Sequence, residues 1–331
     1  MKIAVIQKKL MGDVLMSSVV FQPLKEKFPD AELHFLIDQK YFQVVKNHPL
    51  VDKFLFFDDF FTTLRQIRRE KYDIVIDPYS KIETALLSFL SGANIRCGFY
   101  KKYTQFFYSH SLERRKAALS SVTTTAIEHR LQLLEPLDIP FGVYKPKIYI
   151  SDEERNDALA LLSKWNVADR PLLMISTFGS SGEKTYPLHF MKEVIQTIVE
   201  TSHSYLLCNY LPSQKTMFQQ LYDSLQETTK QRIVKDFDTA NLREYISVLS
   251  LCKALIGNEG GSTNISKALG IPTFSIFSPT VDKHGWNWGE DGVRTISVEL
   301  SDYLENEFRY ELFEPIFFKE KLIDFITKND L

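Results

Sequence analysis

Three stretches of this chain set glycine beside ionisable or small polar residues, each where an apolar run gives way to a helical pattern. Backbone amides and side chains can act together on a ligand at such places. The first is Met11-Gly12-Asp13-Val14, just after a β-branched run over residues 2–7. Gly12 permits a tight turn or a close approach to a ligand. Asp13 is expected at or near the N-terminus of a helix over 14–28, where a carboxylate can take the proton of an attacking hydroxyl. The same position also suits a plain helix cap. The second is Gly257-Asn258-Glu259-Gly260-Gly261-Ser262-Thr263-Asn264, between a strand and a helix. Adjacent glycines let amide groups converge on an anion such as a diphosphate, and the helix dipole adds favourable charge. Glu259 can accept from a sugar or ribose hydroxyl. The third runs from Ser176 through Thr177, Gly179 and Lys184 to Pro187. Lys184 is suited to neutralising charge on a departing diphosphate. No GxGxxG follows the first strand and no GxxxxGK[ST] occurs, which counts against a dinucleotide dehydrogenase and a Walker A site.

The elements that must hold these loops alternate in type. Strands expected at 2–7, 32–38, 53–57, 72–77 and 95–99 are separated by helical patterns. A second series is expected at 171–176, 204–209, 232–234, 254–257 and 273–277, with a final amphipathic helix over 314–327. Such alternation implies parallel sheets in an α/β fold. At 331 residues the chain is long enough for two domains. Turn-rich residues 140–146 mark the boundary, giving domains 1–145 and 146–331, with the last helix a candidate to pack back on the first.

Composition narrows the function. The formal net charge of −2 gives no reason to expect nucleic acid as partner. Cys97, Cys208 and Cys252 form no CxxC pair, so neither a disulfide framework nor a zinc site is expected. No 18-residue apolar span or signal peptide is apparent, so a cytoplasmic protein with at most peripheral membrane contact is expected. Between residues 100 and 116, Lys101, Lys102, Arg114, Arg115 and Lys116 are interleaved with Tyr100, Tyr103, Phe106, Phe107 and Tyr108. That mixture suits an anionic glycolipid at a membrane surface. His129 reads as structural. Trp286 and Trp288 suit either base stacking or packing.

The chain resembles glycosyltransferase family 9, the lipopolysaccharide heptosyltransferases. The resemblance rests on Gly12-Asp13-Val14-Leu15 with a helix ending Lys27-Phe28-Pro29, on Ile256 to Gly261, on Ala268 to Thr273, and on Phe277-Ser278-Pro279-Thr280. It implies a GT-B fold of two Rossmann-like domains facing a central cleft, with inverting transfer and neither metal nor cofactor. It implies a nucleotide-diphosphate sugar donor, ADP-heptose in the family, and an acceptor of the lipid A–Kdo type at the cytoplasmic face of the inner membrane. Carried over by position, Asp13 is the general base and Lys184 the phosphate-binding lysine. Thr177, Gly179, Glu259, Gly260, Gly261, Ser262, Thr263 and Asn264 form the donor site. Gly12 and the basic residues at 101, 102 and 114–116 are the acceptor side. Family members usually carry aspartate at Glu259 and histidine at Asn264, so the transferred sugar is open. A different sugar transferase, a nucleotide-sugar epimerase and a catalytically silent envelope-assembly protein are the alternatives.

Overall fold

The apolar runs form parallel strands, buried on both faces, which is why they read as continuous rather than alternating. The computed structural model describes all 331 residues. Its chain divides into two units, Met1–Tyr149 with His284–Trp288, and Ile150–Lys283 with Gly289–Leu331.

In the first unit β1 (Lys2–Gln7), β2 (Glu32–Ile37), β3 (Lys53–Phe56), β4 (Ile74–Asp77), β5 (Ile95–Phe99) and β6 (His110–Leu112) lie in the order β3-β2-β1-β4-β5-β6. Every pairing is parallel, and Ile3 sits opposite Leu33 on one side and Ile74 on the other. The order reverses between β1 and β4, and in open sheets of this kind the crevice beyond that reversal holds ligands. Both the Gly12-Asp13 turn and the residues after Asp77 emerge there.

The second unit holds β7 (Leu172–Ser176), β8 (Tyr205–Asn209), β9 (Ala254–Asn258), β10 (Thr273–Ile276) and β11 (Thr295–Val298), ordered β11-β10-β9-β7-β8 and all parallel. Here the reversal lies between β9 and β7, the two strands that feed the loops carrying Lys184 and Glu259. Its core is aromatic, with Tyr186, Phe274, Phe313, Phe318 and Phe325 fully buried. Each such side chain contributes about 1.5–3 kcal/mol by burial. The final helix, Lys319–Lys328, packs on the helix Leu188–Thr201, and its Phe325 ring lies 5.6 Å from that of Phe274.

Several elements differ from expectation. The single helix expected over 14–28 is three pieces, Met11–Ser17, a 3-10 turn Ser18–Val20 and Phe21–Lys27. Pro23 stands in the first turn of the third piece, where its missing N–H costs little. The expected strand at 232–234 is reduced to one bridge between Leu206 and Ile233. Two short edge strands, β6 and β11, were not anticipated. All three cysteines are free and buried, and no helix is long and apolar enough to cross a membrane.

Candidate active site

In the first unit the Met11–Ser17 helix starts three residues earlier than expected, so Asp13 is its third residue rather than its cap. Oδ2 accepts from the Leu10 N–H at 3.3 Å, closing the first turn. Oδ1 accepts from Arg130 Nη2 at 2.5 Å. Arg130 comes from the helix Thr125–Gln132 and is 9% exposed. Its Nε donates to Ser17 Oγ at 3.1 Å, and Ser17 in turn donates to Gln7 Oε1 at 3.1 Å. Arg114 also lies within the field of Asp13, with its guanidinium 4.2 Å from the Phe99 ring centroid. Gly12 has open space around the position of a side chain, so its backbone is accessible.

Beside this, Asp77 at the end of β4 is fully buried. Burial pushes its carboxyl up to about 6, against hydrogen bonds from Ser80, Thr84 and Tyr108 and the charge of Lys101. Ser80 N–H donates to Oδ1 at 2.9 Å and Tyr108 Oη to Oδ2 at 2.7 Å. Lys101 Nζ donates to the Ser80 carbonyl. A Cβ on Gly98 would meet the Tyr108 ring at 2.3 Å, so only glycine lets that ring seat on β5. The basic residues of the 100–116 segment therefore part company. Lys101 and Arg115 are internal ties, Arg115 pairing with Glu135, whereas Lys102, Arg114 and Lys116 are exposed. Tyr100, Tyr103 and Phe106 are exposed in the same stretch. His129 Nε2–H donates to the Arg115 carbonyl at 2.8 Å, and the ring packs on Phe99, a structural role.

In the second unit the two loops at the strand reversal are joined by Asn258, a residue without an evident role in the sequence alone. Its amide donates to the carbonyls of Ser176 and Thr177 at 3.0 and 2.8 Å, and its Oδ1 accepts from the Tyr186 N–H at 2.6 Å. Gly257 has φ +132°, and a Cβ there would meet the Ser176 carbonyl oxygen at 2.4 Å. Gly179 permits an equally close pass by the Lys184 carbonyl. Thr177 is fully buried, while Lys184 is half-exposed in the 3-10 turn Gly182–Lys184.

Glu259 follows directly on β9. Burial raises its carboxyl, and the charges of Lys184 and Lys267 oppose that rise. Lys267, on the helix Gly261–Ala268, is a further charged residue of the site that sequence reasoning missed. Burial lowers its ammonium to about 8, against Glu290 and Glu259. Its spacing of three from Asn264 places both on one helix face, which is the signal that would have found it. The Gly260 N–H is taken by Thr263 Oγ1 at 3.1 Å, and Asn264 Nδ2 reaches the Gly260 carbonyl at 3.5 Å. The N–H groups of Gly261, Ser262 and Thr263, in the first turn, have no intrahelical carbonyl and suit an anion. Ser262 Oγ accepts from Asn209 at 3.2 Å.

Known proteins agree with this architecture. The chain is 25% identical over 296 residues to lipopolysaccharide heptosyltransferase 1 of Campylobacter coli, covering 85% of this chain and 84% of that one. A glycosyltransferase family 9 structure from Veillonella parvula superposes with a TM-score of 0.80 at 19% identity, covering 99% of this chain and 96% of the other. The E. coli ADP-heptose lipopolysaccharide heptosyltransferase II superposes with a TM-score of 0.78 at 14% identity, each chain covered in full. These likenesses establish the GT-B fold. The profile of glycosyltransferase family 9 (heptosyltransferase) matches residues 61–306, and the chain belongs to that glycosyltransferase family.

Proposed function

We propose that this chain transfers heptose from ADP-heptose to a lipopolysaccharide-core acceptor of the lipid A–Kdo type, with inversion at the anomeric carbon. The observation that carries this reading is the convergence of Lys184, Glu259 and the Gly260-Gly261 turn at the one strand reversal of the second unit. The names of the relatives supply the sugar and the acceptor class. In this mechanism Asp13 takes the proton of the acceptor hydroxyl as its oxygen attacks the anomeric carbon. The bond from that carbon to the diphosphate breaks, and ADP leaves. Lys184 and the amides of Gly261 to Thr263 stabilise the negative charge gathered on the diphosphate. Thr177 and Gly179 line the same loop, and Glu259 accepts from a donor hydroxyl. Gly12 and the exposed Lys102, Arg114 and Lys116 attract the acceptor's anionic groups, while Tyr100, Tyr103 and Phe106 rest at the headgroup level of the cytoplasmic leaflet.

The test is ADP release and product mass from the purified chain with ADP-heptose and a Kdo-lipid A acceptor. Acceptor-dependent release that D13A abolishes, with ADP binding retained, supports the reading. Turnover by D13A at the wild-type rate removes Asp13 as base. Sugar release without any acceptor points to an epimerase or hydrolase instead, and ADP binding without turnover to a silent binding protein.

A further inference from the structure

The Asp13 carboxylate is gripped unequally, and the grip comes from 117 residues away in the chain. One oxygen, Oδ1, accepts a charge-assisted bond from Arg130 at 2.5 Å; the other, Oδ2, has only the Leu10 N–H at 3.3 Å. Arg130 itself cannot swing. Its Nε is bonded to Ser17 Oγ, its Nη1 to the Ala126 carbonyl, and the side chain is almost fully buried. Ser17 is fixed through Gln7 at the end of β1. The chain β1–Gln7–Ser17–Arg130–Asp13 thus transmits the rigidity of the sheet to one carboxylate.

We infer that Arg130 is a positioning residue for Asp13, holding Oδ1 so that Oδ2 is the atom that receives the acceptor's proton. A base must meet its proton within hydrogen-bonding reach and in line. Oδ1 is committed to a cation, which draws electron density from it; Oδ2 keeps lone pairs available. This inference rests on Asp13 being the base, as proposed above. An untethered aspartate at the start of a helix samples several rotamers, and misplacing a catalytic group by about 1 Å costs on the order of a hundredfold in rate.

The experiment compares wild type, D13N, R130A and R130K in steady-state transfer, with ADP binding and thermal melting measured alongside. R130A is expected to lose on the order of a hundredfold in kcat while the donor KM and ADP affinity stay within about twofold. R130K, with one ammonium in place of a fork, is expected to recover part of the loss. Added guanidinium ion is expected to raise kcat of R130A and to leave wild type unchanged. Loss of activity in R130A without rescue by guanidinium or recovery in R130K would reduce Arg130 to a structural support. Full activity in R130A, with D13N dead, overturns the inference alone. Full activity in D13N overturns the parent reading, and this inference with it.

Discussion

Exchanging Asn258 for aspartate replaces one NH2 with an oxygen at constant volume, at a side chain that is fully buried. The bond from the Tyr186 N–H at 2.6 Å survives the exchange, but two bonds to the Ser176 and Thr177 carbonyls, at 3.0 and 2.8 Å, become contacts between acceptors. Losing two neutral hydrogen bonds costs about 2 kcal/mol. An ionised carboxylate in that place adds several kcal/mol more, so the introduced acid takes up a proton and can then donate to one carbonyl. Its folded-state pKa therefore lies above the unfolded value of about 3.9. With that sign, stability is fully present below the unfolded value and is lost as pH rises through the folded one. The penalty of N258D relative to wild type should grow by up to about 1.4 kcal/mol per pH unit over that window. N258A, which leaves three partners unsatisfied, should cost about 3 kcal/mol at every pH. Urea denaturation of all three proteins from about pH 5 to about pH 8 measures both slopes. A flat N258D penalty, or one below about 1 kcal/mol, would show that the amide does not hold the two loops together.

Three further outcomes are expected. D77N should flatten the dependence of stability on pH, because the buried wild-type carboxyl is raised to about 6. The wild-type advantage, present below about pH 4, is lost by about 3 kcal/mol as pH rises past 6, and denaturation of the two proteins at matched pH checks it. Lys267 is charged below about 8 and neutral above it, so ADP affinity measured by calorimetry should fall as pH rises through that value in wild type and not in K267M. K102Q/K116Q removes two exposed charges and should weaken binding to anionic vesicles about thirtyfold, at about 1 kcal/mol per charge, without moving the melting temperature; unchanged vesicle binding would assign the segment another task.

The two loops of the second unit were readable because their glycines fall where apolar runs end, and backbone packing demands glycine there: a Cβ at Gly257 or Gly179 collides with main-chain atoms. Asp13 was readable for the same reason of position, although its helix begins at Met11 rather than near 14 because Met11 and Gly12 join the first turn. Arg130 was not readable. It is one basic residue in a helix with many polar neighbours, and only the tertiary fold brings it to Asp13. Asn258 looked like the end of a strand, and its use as a clasp depends on which strand lies next to β9. The edge strands β6 and β11 escaped because three or four residues with serine, threonine or histidine carry little apolar pattern. The supposed strand at 232–234 failed for the opposite reason: an apolar pair was present, but only Ile233 found a bridging partner.

The seating of Tyr108 on Gly98, together with the Lys101 tie to the Ser80 carbonyl, anchors both ends of the segment that displays Tyr103 and Phe106. Those rings are thus held out before any contact is made. A surface that receives them need not first freeze a wandering loop, so the entropy of ordering is already spent during folding. If the segment meets a membrane surface as proposed, loosening the anchor by Y108A should weaken binding to anionic vesicles even though the displayed aromatics are untouched.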